Sequence, residues 1–339
     1  MQVTDQVAGQ IEAAIEAFPG REGLCGVVRI SRAGAPLFER AYGHASLQLG
    51  VPNGPQTRFH IASVTKMFIS AAVVRLACGG TLSLDAHPSR YLPEAAPLDP
   101  RITLHQLLSH TSGLADIYAR PDLRQDMQAL AARRGRLLDY LIALPRLAEP
   151  GARWSYSTTG YLLLACILER AGGAPFGAVM EATLLRPLGL ADTGEDDPRR
   201  VNPGRALGHV RRRDGSWRNA PNDALAEADG PRELYSTAAD LDRWGCAIMA
   251  GEVLSPDGAA LTFAPHAHVG PGSDFDPSLD YGYGWFLGPG YRWIGGMTAG
   301  FRAAMWQYPA ERLNVVMLWN NERVDSQGLF RALAPILLG

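Results

Sequence analysis

The sequence predicts an α+β fold in which an antiparallel sheet, flanked by N- and C-terminal helices, carries an inserted all-helical domain. Short apolar runs that suit strands occur near both ends of the chain. Between them, apolar residues at helical spacing fill residues 81–190, and Pro, Gly, Asp, Asn and Arg dominate residues 191–232. We therefore expect a discontinuous sheet domain of residues 1–80 and 233–339, and a helical domain with long loops at 81–232. The cleft between the two is the expected ligand site.

The individual elements follow from apolar periodicity and from glycine-rich breaks. Residues 1–18 predict an amphipathic helix, and residues 24–30 and 35–41 predict a hairpin that turns at Arg32-Ala33-Gly34. The helix predicted at 64–78 ends at a Gly-Gly pair that suits a left-handed cap. Further helices are expected at 103–108, 137–144, 161–170, 175–185, 238–249 and 324–338, a hairpin near 214–215, and strands at 281–287, 291–294, 302–308 and 313–319.

The composition argues against several classes of function. The 339 residues are 47% apolar and 19% charged with a net charge of −2, so a small molecule is expected as the partner and nucleic acid is not. The N-terminus lacks the features of a signal peptide and no apolar run is long enough to span a bilayer, so no membrane partner and a cytoplasmic location are expected. Because Cys25, Cys78, Cys166 and Cys246 form no C-x-x-C pair, we expect no disulfide framework, metal or cofactor.

The distribution of basic residues singles out one position. Of the 32 basic residues 31 are Arg, and Lys66 is the only Lys in the chain. It lies three residues after Ser63, so an S-x-x-K pair at the start of a helix places a hydroxyl and an amine on one face. Arg is permanently charged, whereas a buried Lys can lose its proton and act as a base. Such action at neutral pH needs a pKa lowered by about 3 units through burial and positive neighbours.

Two further segments could complete a catalytic site. Tyr156 precedes a predicted helix and supplies a phenol that could relay a proton to a leaving group. Gly295-Gly296-Met297, which we expect between two strands, offers backbone N–H groups of the kind that form an oxyanion hole. No G-x-S-x-G elbow occurs, which argues against a Ser-His-Asp hydrolase of the α/β type.

Seven segments follow one another along the chain: TRFHIASVTKMF at 57–68, LLSHTSGL at 107–114, PGARWSYSTTGYLLLACILE at 150–169, PLGLADT at 187–193, YSTAADLDRW at 235–244, YGYGW at 281–285 and GGMTAGF at 295–301. In these segments and their order, residues 20–338 resemble the serine β-lactamase and penicillin-binding protein superfamily, in particular its class C-like branch of esterases, D-aminopeptidases and related hydrolases. This resemblance implies a β-lactamase-like fold. It also implies that Ser63 forms an acyl-enzyme, that Lys66 takes its proton, and that Tyr156 assists the leaving group. The N–H groups of Ser63 and Met297 would form the oxyanion hole.

The chain departs from the family pattern at the substrate-binding positions. Thr158 stands where many members have Asn, and Ile294 stands where the third motif has a cation. Ile cannot pair with a substrate carboxylate, which argues against β-lactams and D-Ala peptides. A register shifted by one residue, in which Trp293-Ile294-Gly295 matches the W-x-G of the branch's carboxylesterases and Gly296 replaces Met297 as donor, stays open.

Other segments are expected to shape the pocket. Arg232-Glu233 replaces two small residues, and we expect one of these side chains, with Arg232 favoured, to anchor a polar substrate group, while residues 118–130 and 191–232 line the pocket. His105 and His110 are expected to stabilise turns, and His266 and His268 to lie in a solvated loop.

The expected function is ester or amide hydrolysis through acyl-Ser63, with a small ester, amide or short peptide as substrate and carboxylesterase activity favoured. A D-amino-acid amidase or aminopeptidase, an acyl transferase and a non-catalytic binding protein are the alternatives. The oligomeric state stays open.

Overall fold

A computed structural model describes residues 2–120, 122–132, 136–221 and 224–339. Within these residues the largest sheet is eight-stranded and antiparallel, in the order β10-β11-β12-β13-β14-β15-β1-β2. Its strands are β1 (Gly26–Arg32), β2 (Ala35–Tyr42), β10 (Ala267–His268), β11 (Asp280–Tyr281), β12 (Phe286–Gly288), β13 (Tyr291–Thr298), β14 (Phe301–Tyr308) and β15 (Leu313–Trp319). Smaller sheets are formed by β3 (His44–Ser46) with β4 (Val51–Pro52), by β5 (Phe59–His60), β9 (Leu234–Ser236) and β6 (Gly194–Glu195), and by β7 (His209–Arg211) with β8 (Trp217–Asn219).

The helices largely follow the predicted pattern. They are α1 (Gln2–Glu16), α2 (Thr65–Cys78), α3 (Leu104–Leu108), α4 (Leu123–Ala132), α5 (Leu137–Ile142), α6 (Thr158–Gly172), α7 (Phe176–Met180), α8 (Ala238–Met249), α9 (Pro256–Phe263) and α10 (Ser326–Leu338). A π-helical turn, Glu181–Leu185, continues α7. Thr103 and Gln106 form the capping box that starts α3.

The N- and C-terminal parts of the chain meet within the large sheet, where β1 pairs with β15 one strand in from the β2 edge. Every residue of β15 is buried, as expected for a strand covered on both faces. On one face, Val28 and Met317 pack in a cluster with residues of α1 and α10. On the other face, Val27 and Val316 belong to a second cluster that includes residues of α2, α6 and α8. The antiparallel sheet with helices on both faces confirms the predicted α+β class.

The strand pairing is consistent with the predicted division into two domains, but the hydrophobic core is not divided in the same way. Among the described residues, no strand between 81 and 232 joins the eight-stranded sheet. One hydrophobic cluster nevertheless runs without a break from the sheet into the helices of this segment. We keep the boundaries at 80/81 and 232/233 as a proposal.

Several local predictions differ from the structure. Residues 282–285, predicted as part of a strand, form a turn between β11 and β12. Gly295-Gly296-Met297 lies inside β13 and not between two strands. Helices α4 and α9 were not predicted: α4 lies in a polar segment, and α9 is only two turns long.

Within the described residues, no single helix is both long enough and apolar enough to cross a membrane. Only α6 taken together with residues 176–185 passes that test, and the two are bent by 72° relative to one another.

Candidate active site

Ser63 lies in a 3-10 turn, Ala62–Val64, that leads into α2. Ala62 has a φ of 47°, a left-handed conformation that costs a non-glycine residue about 1–2 kcal/mol. Two hydrogen bonds hold this turn: His60 Nδ1 accepts from the N–H of Ala62 at 3.1 Å, and the Ile61 N–H donates to the Leu234 carbonyl at 3.0 Å. The turn thus fixes Ser63 at the cleft, whose lining includes its side chain.

Lys66 lies one helical turn after Ser63, as the S-x-x-K spacing predicts. Its Nζ donates to Ser63 Oγ at 3.0 Å, and the residue is only 2% exposed. The same Nζ lies 5.0 Å from the ring centroid of Tyr156 and 5.6 Å from that of Tyr161. The structure therefore brings together the three side chains proposed for catalysis, Ser63, Lys66 and Tyr156.

The charge environment of Lys66 differs from the expected one. Burial alone lowers the pKa of the ammonium, as the sequence analysis assumed. Interactions with Tyr156 and Glu233, and more weakly with Asp116, outweigh burial, so the pKa of Lys66 is raised above its ordinary value. The neighbours of Lys66 are thus acidic, and not positive as a depression of its pKa by about 3 units would require. Tyr156 hydrogen-bonds to Lys66, so the two side chains can exchange a proton.

Tyr156 is held by an aromatic cluster around His110. The Tyr156 ring centroid lies 4.5 Å from that of His110 and 5.1 Å from that of Phe275. His110 Nδ1 accepts from the N–H of Ser157 at 3.2 Å, and Nε2 lies 3.1 Å from Tyr281 Oη. Burial, with a further contribution from the charge of Lys66, holds the pKa of His110 well below its ordinary value. A neutral imidazole that accepts at Nδ1 must carry its proton at Nε2, so His110 donates to Tyr281.

The backbone of β13 supplies the second half of the site. Two-residue turns join β13 to β12 at Pro289-Gly290 and to β14 at Ala299-Gly300, and the residues that flank such turns form hydrogen-bonded pairs. Hydrogen-bonded and non-hydrogen-bonded pairs alternate along β13 and β14, so the N–H groups of Gly295 and Met297 are directed away from β14. Because β12 pairs only as far as Trp293, these two N–H groups lie on an edge to which no strand of the described residues is bonded.

Gly296 brings this edge close to the nucleophile turn. A Cβ atom at Gly296 would lie 2.4 Å from the Ile61 carbonyl oxygen and 2.8 Å from the Ser63 nitrogen, so only glycine permits the approach. Ile294, on the same face, is fully buried in the core and does not line the cleft, which contradicts its predicted substrate-binding role. Trp293, Gly295 and Met297 line the cleft instead.

The remaining predicted substrate residues have different positions. Thr158 lines the cleft, and its N–H donates to Asp116 Oδ1 at 3.1 Å. The Arg232 guanidinium donates to the carbonyls of the loop before it, including that of Ala228 at 2.8 Å, and does not line the cleft. The expectation that Arg232 anchors substrate is therefore wrong, and its neighbour Glu233 is the one that lines the cleft.

The cleft has a volume of about 1170 Å³, which is large enough for an extended substrate. Aromatic side chains form one wall, and residues 268–276 form another that the sequence analysis missed, because a Gly/Pro-rich loop carries no periodic signal. Tyr118 and Arg124 line the cleft as expected, whereas no described residue of 191–232 does. Within the described part of the chain, no group of His, Cys, Asp and Glu side chains is arranged to hold a metal ion.

Comparisons with known proteins confirm the predicted β-lactamase-like fold. A 34% identical relative, esterase EstB of Burkholderia gladioli, matches 56% of this chain over 51% of its own length, so the chain spans about half of that esterase. D-aminopeptidase of Gluconobacter oxydans (strain 621H) is 26% identical and matches 99% of this chain over 63% of its own length. The crystal structure of a penicillin-binding protein from Bacillus halodurans superposes with a TM-score of 0.80 at 26% identity, covering 96% of this chain and 98% of that one.

The fold and these relatives define the class of protein to which the chain belongs. The family model for β-lactamase matches residues 11–337, and the chain belongs to the β-lactamase family.

Proposed function

We propose that the chain hydrolyses small carboxylic esters through an acyl group on Ser63. The observation that carries this proposal is the 3.0 Å hydrogen bond between Lys66 Nζ and Ser63 Oγ, beside the Tyr156 ring. Ser63 Oγ attacks the ester carbonyl carbon, and its proton passes to the Lys66–Tyr156 pair. The pair then returns a proton to the leaving alcohol. Water repeats the sequence on the acyl-enzyme and releases the acid and free Ser63.

The oxyanion of each tetrahedral intermediate is assigned to the N–H groups of Ser63 and Met297. The alternation of hydrogen bonds along β13 favours Met297 over Gly296, since the N–H of Gly296 is directed toward β14. One such donor is worth about 10²–10³ in kcat. Thr158, Gly295 and Gly296 contribute the adjacent cleft wall.

An ester is favoured over a β-lactam because Ile294 supplies no cation from the third motif. The aromatic wall of Trp154, Phe275 and Trp293 suits an apolar acyl or alcohol group. The similarity to esterase EstB points the same way.

A D-amino-acid amidase or aminopeptidase is the second candidate. Asp116 and Glu233 line the cleft close to Lys66 and could accept a free α-ammonium group of a substrate. The relative described as a D-aminopeptidase adds weight to this alternative.

The proposal is tested by intact mass after exposure to a fluorophosphonate and to p-nitrophenyl butyrate. We expect one adduct in the parent protein and none in Ser63→Ala; an unlabelled parent would indicate a non-catalytic binding protein. Rates on p-nitrophenyl esters and on D- and L-amino-acid p-nitroanilides separate esterase from amidase. Added alcohol or amine acceptors that capture the acyl group faster than water would identify an acyl transferase.

A further inference from the structure

Arg302 occupies a position in the cleft that the sequence motifs do not mark. It lies on β14 directly opposite Met297, and both residues line the cleft. Because Met297 directs its N–H away from β14, the two form a non-hydrogen-bonded pair, in which Cα atoms lie about 4.5 Å apart and side chains point to the same face. Arg302 therefore lies on the strand next to the one that carries the proposed oxyanion donor, Met297. The Nη1 atom of its guanidinium lies 4.0 Å from Met297 Sδ.

This guanidinium differs from several partly buried arginines of the chain, which pair with a carboxylate. Arg29, Arg58 and Arg205 each have a carboxylate oxygen within 2.8 Å. Among the described residues, no carboxylate lies within 4 Å of Arg302.

The nearest acidic groups have other hydrogen-bond partners. Glu322, which also lines the cleft, accepts from the N–H of Gly300 at 2.7 Å. Asp325 accepts from the N–H of Gly328 at 2.8 Å at the start of α10. Burial lowers the pKa of Arg302, and the charge of Asp325 opposes this only in part. A partly desolvated cation without an ion-pair partner gains most from an anion that enters the cleft.

We propose that Arg302 binds a carboxylate of the substrate and so makes the enzyme selective for esters or amides that carry an acidic group. The inference rests on the proposed hydrolysis at Ser63. Arg302 lies opposite Met297, three residues further along β13 than Ile294 and on the other face of the sheet, so it does not take the place of the third-motif cation. The carboxylate belongs to the acyl part or to the leaving group, and the test separates these two sources.

The test compares kcat/KM for two matched pairs of esters. One pair is mono-p-nitrophenyl glutarate and p-nitrophenyl valerate, with the charge on the acyl part. The other is 4-butanoyloxybenzoate and its methyl ester, with the charge on the leaving group. We expect Arg302→Gln to lower the ratio of anionic to neutral kcat/KM by about 10- to 100-fold for one of the pairs, since a charge-assisted hydrogen bond is lost.

Arg153→Gln is the matched control, because Arg153 also lines the cleft but is exposed, so its charge is screened by solvent. In this control variant the ratio of anionic to neutral kcat/KM should change by less than about 3-fold. Arg302→Lys keeps a charge on a flexible stem, folds more readily, and should lower the ratio by a few-fold because the fork of donors is lost. Unchanged ratios in both Arg302 variants, or an equal drop in Arg153→Gln, overturn the inference. An absence of turnover for all four esters in the parent protein refutes the proposed hydrolysis instead.

Discussion

Gly296→Ala is expected to reduce turnover strongly while leaving the fold intact. The added Cβ would lie 2.4 Å from the Ile61 carbonyl oxygen, 2.8 Å from the Ser63 nitrogen and 3.0 Å from the Val64 nitrogen. All three are backbone atoms, so no side chain can rotate away. Ordinary contact begins at 3.4 Å, so β13 and the nucleophile turn must separate by about 1 Å. A displacement of about 1 Å between a nucleophile and the groups that complete its site can cost about 10²-fold in rate.

The assay is steady-state hydrolysis of p-nitrophenyl butyrate, with the melting temperature measured in parallel. We expect kcat to fall by about 100-fold. The matched variant is Gly295→Ala, whose Cβ would meet only the Trp293 ring, at 2.8 Å, and a ring can move. Its kcat should fall by less than about 10-fold. If Gly296→Ala keeps kcat within about 3-fold of the parent, the close approach is not needed for catalysis and this reasoning fails.

Three other predictions concern the charges of the site. Lys66→Arg should lower kcat/KM by about 10²–10⁴-fold, because a guanidinium cannot share its proton with Tyr156; a correctly folded variant as fast as the parent would contradict the mechanism. Glu233→Gln removes a negative charge that raises the pKa of Lys66, so the part of the kcat/KM profile that falls at high pH should move to lower pH. If that part stays in place or moves to higher pH, Glu233 does not affect activity through the pKa of Lys66. Because the pKa of His110 is depressed in the folded state, the unfolded chain binds the extra proton, and the free energy of unfolding should fall as pH drops below about 6.5. In His110→Gln the decrease in the free energy of unfolding, measured by urea unfolding between pH 5 and 7.5, should be smaller than in the parent protein. An equal decrease would mean that groups other than His110 cause it.

The sequence was sufficient to predict the fold because its signals are local. The hairpin of β1 and β2 is set by alternating apolar residues around a tight turn, and the start of α3 is set by the Thr103/Gln106 capping box. The strand prediction for residues 282–285 was wrong because it also used only the local pattern. YGYGW continues an apolar pattern, but Gly284 has a φ of 78° and lies against the backbone of Lys66. A contact between distant segments produced that turn, and no local pattern encodes it.

The meeting of the three side chains proposed for catalysis could be predicted, whereas the residues that line the cleft largely could not. Ser63, Lys66 and Tyr156 are tied to motifs with fixed spacing, so their meeting follows from the resemblance. The motif pattern predicts substrate-binding roles for Ile294 and Arg232 from their positions in the sequence alone. Only the strand faces and loop contacts show that the Ile294 side chain lies in the core and that the Arg232 side chain donates to loop carbonyls. Arg302 was missed because a single Arg among 31 carries no signal in sequence.

The acidic surroundings of Lys66 set a requirement on how its amine takes part in catalysis. Burial alone would favour a neutral amine. With Glu233 and Asp116 present, the ammonium is favoured, and its Nζ lies 5.0 Å from the ring centroid of Tyr156. An ammonium has no lone pair, so Lys66 must give up one proton before its nitrogen can accept the proton of Ser63, and Tyr156 is the neighbouring hydroxyl through which that proton can pass. An Arg at position 66 would not give up a proton and could not pass one on to the leaving group, which gives a physical reason for the only Lys of the chain at this position.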